Sequence, residues 1–194
     1  HGYKPYQASA IFARSFGDCK DKAILFNTMA GEAGIKSWPV LIQGEERRGE
    51  FDMSVPLTNY FNHCISWVPE LDGQFVGMFV DGTAQFSTFG ELPSMDYGAT
   101  TLVATADGGK LVSIPYRGPE ANGAVERMSL RLDEHGDAAV QARIEFKGDN
   151  AYGARWQYAN PGERTEKFEE QYGRQFGGAE VESVSLPPVD DLDS

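Results

Sequence analysis

The stretch FGDCKDKAILFNTMAGEAGI, Phe16 to Ile35, decides how this chain is read. Asp18 is an N-cap residue. Asp21, three positions on, places a carboxylate in the first helical turn, where free N–H groups and the positive dipole end favour it. Ala23, Phe26, Asn27 and Ala30 recur at helical spacing, with Ile24, Leu25 and Met29 on flanking faces. Gly34 is the stop signal, and Gly31 loosens the last turn. The spacing predicts a helix over about 19–33. Cys19 falls in its first turn, where the same N–H groups stabilise a thiolate or an oxyanion on an attacked carbonyl. Lys20 and Lys22 add positive charge, and Asp18 and Asp21 offset part of it. By position alone, a small buried hydrophobe is the better reading, because free cysteines are so often buried.

A base would change that reading. Of the three histidines, His1 is terminal and expected to fray, and His135 sits in a turn, Glu134-His135-Gly136. His63 lies inside an apolar strand, FNHCISW. That segment and QFVGMFVDG read as paired strands around Leu71-Asp72-Gly73. With a three-residue loop, Glu70 pairs Gln74 and His63 falls opposite Asp81, on the same face. A two-residue loop puts Asp81 on the other face. A carboxylate beside an imidazole holds its tautomer and its charge. The plain alternative is that Asp81-Gly82-Thr83 is an ordinary turn. Cys64 follows His63 and points to the opposite face. A Cys19–Cys64 disulfide therefore competes with a Cys19–His63 dyad, and the dyad is favoured with Cys64 as packing. No paired-cysteine or paired-histidine spacing suggests zinc.

The remaining segments fill out an α+β reading. Residues 1–15 are mixed and aromatic-rich. KSWPVLIQ, 36–43, reads as a strand in which Pro39 marks an edge or bulge. Residues 44–59 read as a charged exposed loop placed to cover a cleft or simply to be solvated. TTLVATADGGKLVSIP carries a hairpin signal at Asp107-Gly108-Gly109. RGPEANG, 117–123, is the best boundary, giving a core over 1–118 and a β-rich accessory region over 119–194. In the latter, ERMSLRLDEHGDAAVQARIEF reads as a hairpin with one wet face. Residues 149–158 and a segment from Asn160-Pro161 to about Phe176 read as helices, and VESVSL as a returning strand.

Composition excludes some functions. The chain has 194 residues, 41% hydrophobic and 12% aromatic, enough for a buried core. A net charge of −12 argues against nucleic acid and anionic membrane surfaces as partners. No apolar run approaches the length of a membrane span. The opening HGYKPYQ carries no charged leader and is expected to be a cut end. Two cysteines do not make a disulfide scaffold.

Cysteine at a helix start, histidine on one strand and aspartate on the next is the triad order of the transglutaminase-like superfamily. The chain resembles the bacterial transglutaminase-like proteins of the cell envelope, whose core carries a Gly-Asp-Cys-Lys-Asp-Lys cluster, here Gly17-Asp18-Cys19-Lys20-Asp21-Lys22. Ala33-Gly34-Ile35 with Pro39-Val40-Leu41, Phe61-Asn62-His63, Val80-Asp81-Gly82-Thr83, Leu92-Pro93 and Gly109-Lys110-Leu111-Val112 also match. The resemblance covers about residues 2–115; residues 124–194 match the following β-rich region more weakly. It implies a papain-like α/β core with the Cys helix on an antiparallel sheet. Cys19 would be the nucleophile, His63 the base and then the acid, and Asp81 its orienter. The implied activity is acyl transfer or hydrolysis on a peptide or carboxamide substrate through a thioester, needing no metal and no cofactor. The implied location is the periplasm or cell envelope. The rival expectation is a non-catalytic peptide- or protein-binding module that keeps the fold. Substrate identity, acyl acceptor, the oxyanion-hole side chain and oligomeric state stay open at this stage. The tyrosines Tyr3 and Tyr6 are read as packing, with a place in the site as the alternative.

Overall fold

The start of the cysteine helix is built as its sequence dictates. In the computed structural model, which describes residues 3–45, 57–71 and 75–192, α2 spans Cys19–Glu32 and Asp18 caps it by accepting the Asp21 N–H. At its far end Ala33 is the C-cap and Gly34 takes a left-handed φ of 77°. Gly34 N–H bonds the carbonyl of Gly31, and Ile35 N–H that of Ala30 at 2.8 Å, so the last carbonyls are satisfied in a Schellman arrangement. An earlier helix, α1 (Ala8–Arg14), precedes it. The mixed opening residues did not predict α1: it has no side-chain cap and buries a single residue, Ile11. It is tied to α2 by Asp21, buried to 3% exposure, which accepts from Arg14 Nη2 at 2.6 Å and from the Tyr6 N–H at 3.0 Å.

The chain divides into two units, with the main break between Arg117 and Gly118 and the short stretch Phe86–Thr88 grouped with the second. The first unit is α+β. Its strands are β1 (Trp38–Ile42), β2 (His63–Leu71), β3 (Phe75–Val80), β4 (Thr100–Thr105) and β5 (Gly108–Ser113), in one antiparallel sheet ordered β3-β2-β1-β4-β5. Pro39 is therefore on the central strand, not at an edge. It is tolerated because the ladder to β4 begins only at Val40, so on that side Pro39 has no partner to disappoint. β4 and β5 turn at Ala106-Asp107, one residue earlier than the Asp-Gly-Gly signal, with Gly108 at φ 124° closing the turn.

Alternation sorts the side chains of β2. Ile65 lies opposite Val40, and Val40 opposite Val103. These residues and Ile42 are 0% exposed and form the core with Leu92, Ala99 and Ile114. Full burial of such side chains stabilises by about 1.5–3 kcal/mol each. The other face, carrying Cys64, Ser66 and Val68, receives α2: Asn27 Nδ2 donates to Ser66 Oγ at 3.2 Å and to the Ala23 carbonyl at 2.8 Å.

The register of β2 with β3 corrects the expected one. Glu70 pairs Val76 and Ser66 pairs Val80, a shift of two residues from a Glu70–Gln74 pairing. Because the side-chain period is two, the shift keeps Asp81 on the same face as His63, as a diagonal rather than a direct neighbour. The turn residues 72–74 and most of the expected covering loop, 46–56, lie outside the described residues.

The second unit holds a hairpin, β6 (Gly123–Leu132) with β7 (Ala138–Lys147), and two helices, α3 (Asp149–Gln157) and α4 (Arg164–Gln175). It is not β-rich. VESVSL forms no strand; the Val181 N–H bonds the Glu169 carboxylate at 3.3 Å instead of a neighbouring strand. Phe86 and Trp156 meet edge to face, and Tyr158 stacks on Phe168 at 4.5 Å. Among the described residues no helix is long and apolar enough to cross a membrane.

Candidate functional site

Cys19, His63 and Asp81 come together where α2 begins and β2 starts. Cys19 is the first residue of α2 and is half-buried. The neighbours that act on its thiol are the His63 imidazole and the main-chain amides of Cys64 and Lys20. α2 packs on the Cys64 and Ser66 face of the sheet, which alternation places opposite the face of His63. Cys64 is buried and both cysteines are free thiols.

His63 Nε2 lies 3.1 Å from Asp81 Oδ2, which leaves Nδ1 for the sulfur. The His63 side chain is 12% exposed and that of Asp81 1%. Asp81 is fixed by its own turn: Oδ1 accepts from the Thr83 N–H at 2.8 Å and from Thr83 Oγ1 at 2.7 Å. The Asp-Gly-Thr turn and the orienting carboxylate are thus one structure. The Asx-type turn is what aims Oδ2 at the imidazole. The turn lies against α2: a Cβ on Gly82 would stand in ordinary contact, 3.4 Å, with that of Lys22.

The charges follow from these contacts. The hydrogen bond from His63 lowers the Cys19 thiol below its ordinary value; burial opposes it, and the Cys64 amide, the His63 charge and the Lys20 amide add to the lowering. Burial pulls His63 down, but hydrogen bonds to Asp81 and Cys19 and the charges of Asp81 and Asp96 outweigh it and raise the imidazole to about 10. Burial would raise Asp81, yet the hydrogen bonds from His63 and Thr83 hold it below the usual carboxylate range. Burial pushes the Cys64 thiol up to about 12. These contacts bias the pair toward a thiolate beside an imidazolium on a carboxylate. The other thiol is inert.

Some parts of this site were not legible in the sequence. Asp96, in the loop before β4, is 0% exposed and brings a carboxylate oxygen within 4.8 Å of donor atoms of His63 and Asp81. Nothing in PSMDYG marks it. Thr83 and Asn62 were quoted within motifs without a role. Asn62 Oδ1 accepts the Gly44 N–H at 2.8 Å, which pins the chain leaving β1 beside His63. Tyr3 and Tyr6 are not packed in the core: they are 89% and 61% exposed, and the Arg14 guanidinium lies over the Tyr6 ring at 4.1 Å. His135 is a solvated turn residue, its side chain 76% exposed.

Comparison with protein-family models, curated proteins and solved structures finds no match to the chain.

Proposed function

We propose that this chain carries a transglutaminase-like, papain-type core and acts as a cysteine-dependent acyl-transfer or hydrolytic enzyme on peptide or carboxamide substrates. The observation that carries the reading is the His63–Asp81 hydrogen bond, with Cys19 at a helix N-terminus and its thiol lowered chiefly by His63. A sulfur, an imidazole and an orienting carboxylate in that order is the arrangement that nucleophilic acyl transfer needs.

The steps follow from the positions. The Cys19 thiolate attacks the substrate carbonyl carbon, a C–S bond forms, and the carbonyl oxygen takes the negative charge. N–H groups of the first turn of α2 are the nearby donors for that oxyanion. On collapse the C–N bond breaks, and the His63 imidazolium gives its proton to the leaving amine. Water or a second amine then attacks the thioester while neutral His63 takes its proton. Expulsion of the Cys19 thiolate restores the resting pair. Asp81 keeps Nε2 occupied and Nδ1 directed at the sulfur. The cluster of His63, Asp81 and Asp96 is read as a charge set around the imidazole, because both Asp81 oxygens already accept from Thr83 or His63. The resemblance of the Gly17–Lys22 cluster to envelope transglutaminase-like proteins supports an envelope location and a protein or peptide substrate.

The test is acyl-enzyme trapping. The protein is mixed with an activated acyl ester, quenched in acid and weighed intact. A single acyl adduct on Cys19, lost in Cys19→Ala and His63→Ala and discharged faster by an added amine or by water, supports the reading. An unacylated Cys19 in the folded wild type moves the assignment to the non-catalytic binding module.

A further inference from the structure

Asp96 is fully buried and stands beside the base of the proposed triad. One of its carboxylate oxygens, one from Asp81 and a ring nitrogen of His63 all lie within 4.8 Å of one another. Gly44 lies beside both groups. A Cβ at position 44 would stand 3.4 Å from the His63 Cβ, 3.5 Å from Asp96 Oδ1 and 2.8 Å from Met95 Cε. Only the contact with Met95 Cε, the end of a flexible side chain, is too close, and position 44 lies directly against the imidazole and the 95–96 turn. The turn itself is held by the Asp96 N–H on the Pro93 carbonyl at 3.0 Å and by the Ala99 N–H on the Asp96 carbonyl at 3.3 Å.

We propose that Asp96 is a positioning residue, a second buried carboxylate that acts with Asp81 to hold the His63 imidazolium charged and in place. The role as positioning residue rests on the reading of His63 as the base. With 0% exposure Asp96 cannot touch a substrate, so it acts through His63. A buried carboxylate is costly unless an opposite charge faces it, and the imidazolium supplies that charge at short range. The charged and titratable groups facing His63 are Cys19 from α2, Asp81 after β3 and Asp96 before β4. Asp18 caps α2 and Lys20 and Lys22 lie in its first turns, while Ile42, paired with His63, and Gly44, just after β1, carry no charge. Two carboxylates around one imidazole favour the thiolate–imidazolium pair over the neutral thiol and imidazole. They also make the resting state tolerant of losing one of the two charges.

The experiment is an NMR titration of the imidazole carbons. The chain has only three histidines, and His63→Gln identifies the signal. In Asp96→Asn the His63 midpoint falls by about one pH unit, the usual effect of removing an opposite charge at this range. A shift smaller than about half a unit in the folded variant overturns the proposal. If Asp96→Asn does not fold, the Cys19→Ala, Asp81→Asn double variant is read instead. There Asp96 is the remaining facing charge, and a midpoint at or above the ordinary 6.5 supports the proposal, while one below it overturns it. Acyl-enzyme trapping separates this result from the functional reading. A shifted His63 without acylation keeps Asp96's effect on the imidazole and removes the enzyme; acylation with an unmoved His63 does the reverse.

Discussion

Replacing Cys19 by Ala should make the stability of the fold fall more steeply with rising pH than that of the wild type. His63 rises from an ordinary 6.5 to about 10 on folding. Its contribution is complete below 6.5 and is lost as pH rises through about 10. Cys19 is lowered from an ordinary 9.0, so its contribution is complete above 9.0 and is lost as pH falls through the lowered value. While the folded thiol is ionised between 6.5 and 9.0, the unfolded chain keeps one proton on sulfur and the folded protein keeps one on the imidazole. The counts match, so this pair adds no slope. Without the thiol the folded state alone holds a proton there, because Asp81 still faces His63. Stability then falls by at most about 1.4 kcal/mol per pH unit, and by about 1.5 kcal/mol in all between pH 6.5 and about 8. Urea unfolding of both proteins, followed by tryptophan fluorescence at half-unit steps of pH, measures the difference. All other titrations are common to the two and cancel. Parallel stability curves for wild type and variant would refute the ion pair.

Other outcomes follow from named contacts. Cys19→Ala abolishes acyl transfer with the fold intact, His63→Ala costs a comparable factor, and Asp81→Asn costs less because Asp81 only orients; steady-state kinetics on an activated ester ranks them. Gly17→Ala brings a Cβ to 2.6 Å from that of Asp21, which is fixed to the helix and cannot swing away. The start of α2 must shift, at about 1–3 kcal/mol by urea unfolding, with slower alkylation of Cys19. Ser66→Ala removes the hydroxyl that Asn27 uses to tie α2 to β2, and lowers stability by about 1 kcal/mol in the same assay.

The helix was legible because its signals are local. Asp18, the spaced apolar residues and Gly34 each act within a turn or two, and the same residues cap and close α2 in the structure. The approach of Asp81 to His63 was legible by parity alone: the expected register missed by two residues, and a two-residue slip leaves every side chain on its face. A one-residue error would have separated the pair. Pro39 misled because an edge was inferred for the strand, whereas the relevant edge is only the missing partner on one side of one residue. Asp96 and Gly44 were invisible because their meaning lies in the approach of the chain near 44 to the 95–96 turn, which no spacing along the chain encodes. VESVSL alternates like a strand, but alternation does not supply a partner, and α4 claims its first amide.

The central claim is that Cys19 is a thiolate held by His63, and its most direct test is the pH dependence of alkylation by iodoacetamide. Peptide mass spectrometry reads Cys19 and Cys64 in the same sample, with the buried Cys64, raised to about 12, as the internal control. The account predicts fast labelling of Cys19 that persists well below about pH 8.5, while Cys64 stays unlabelled. Slow labelling of Cys19 that rises only through the ordinary thiol range would contradict it.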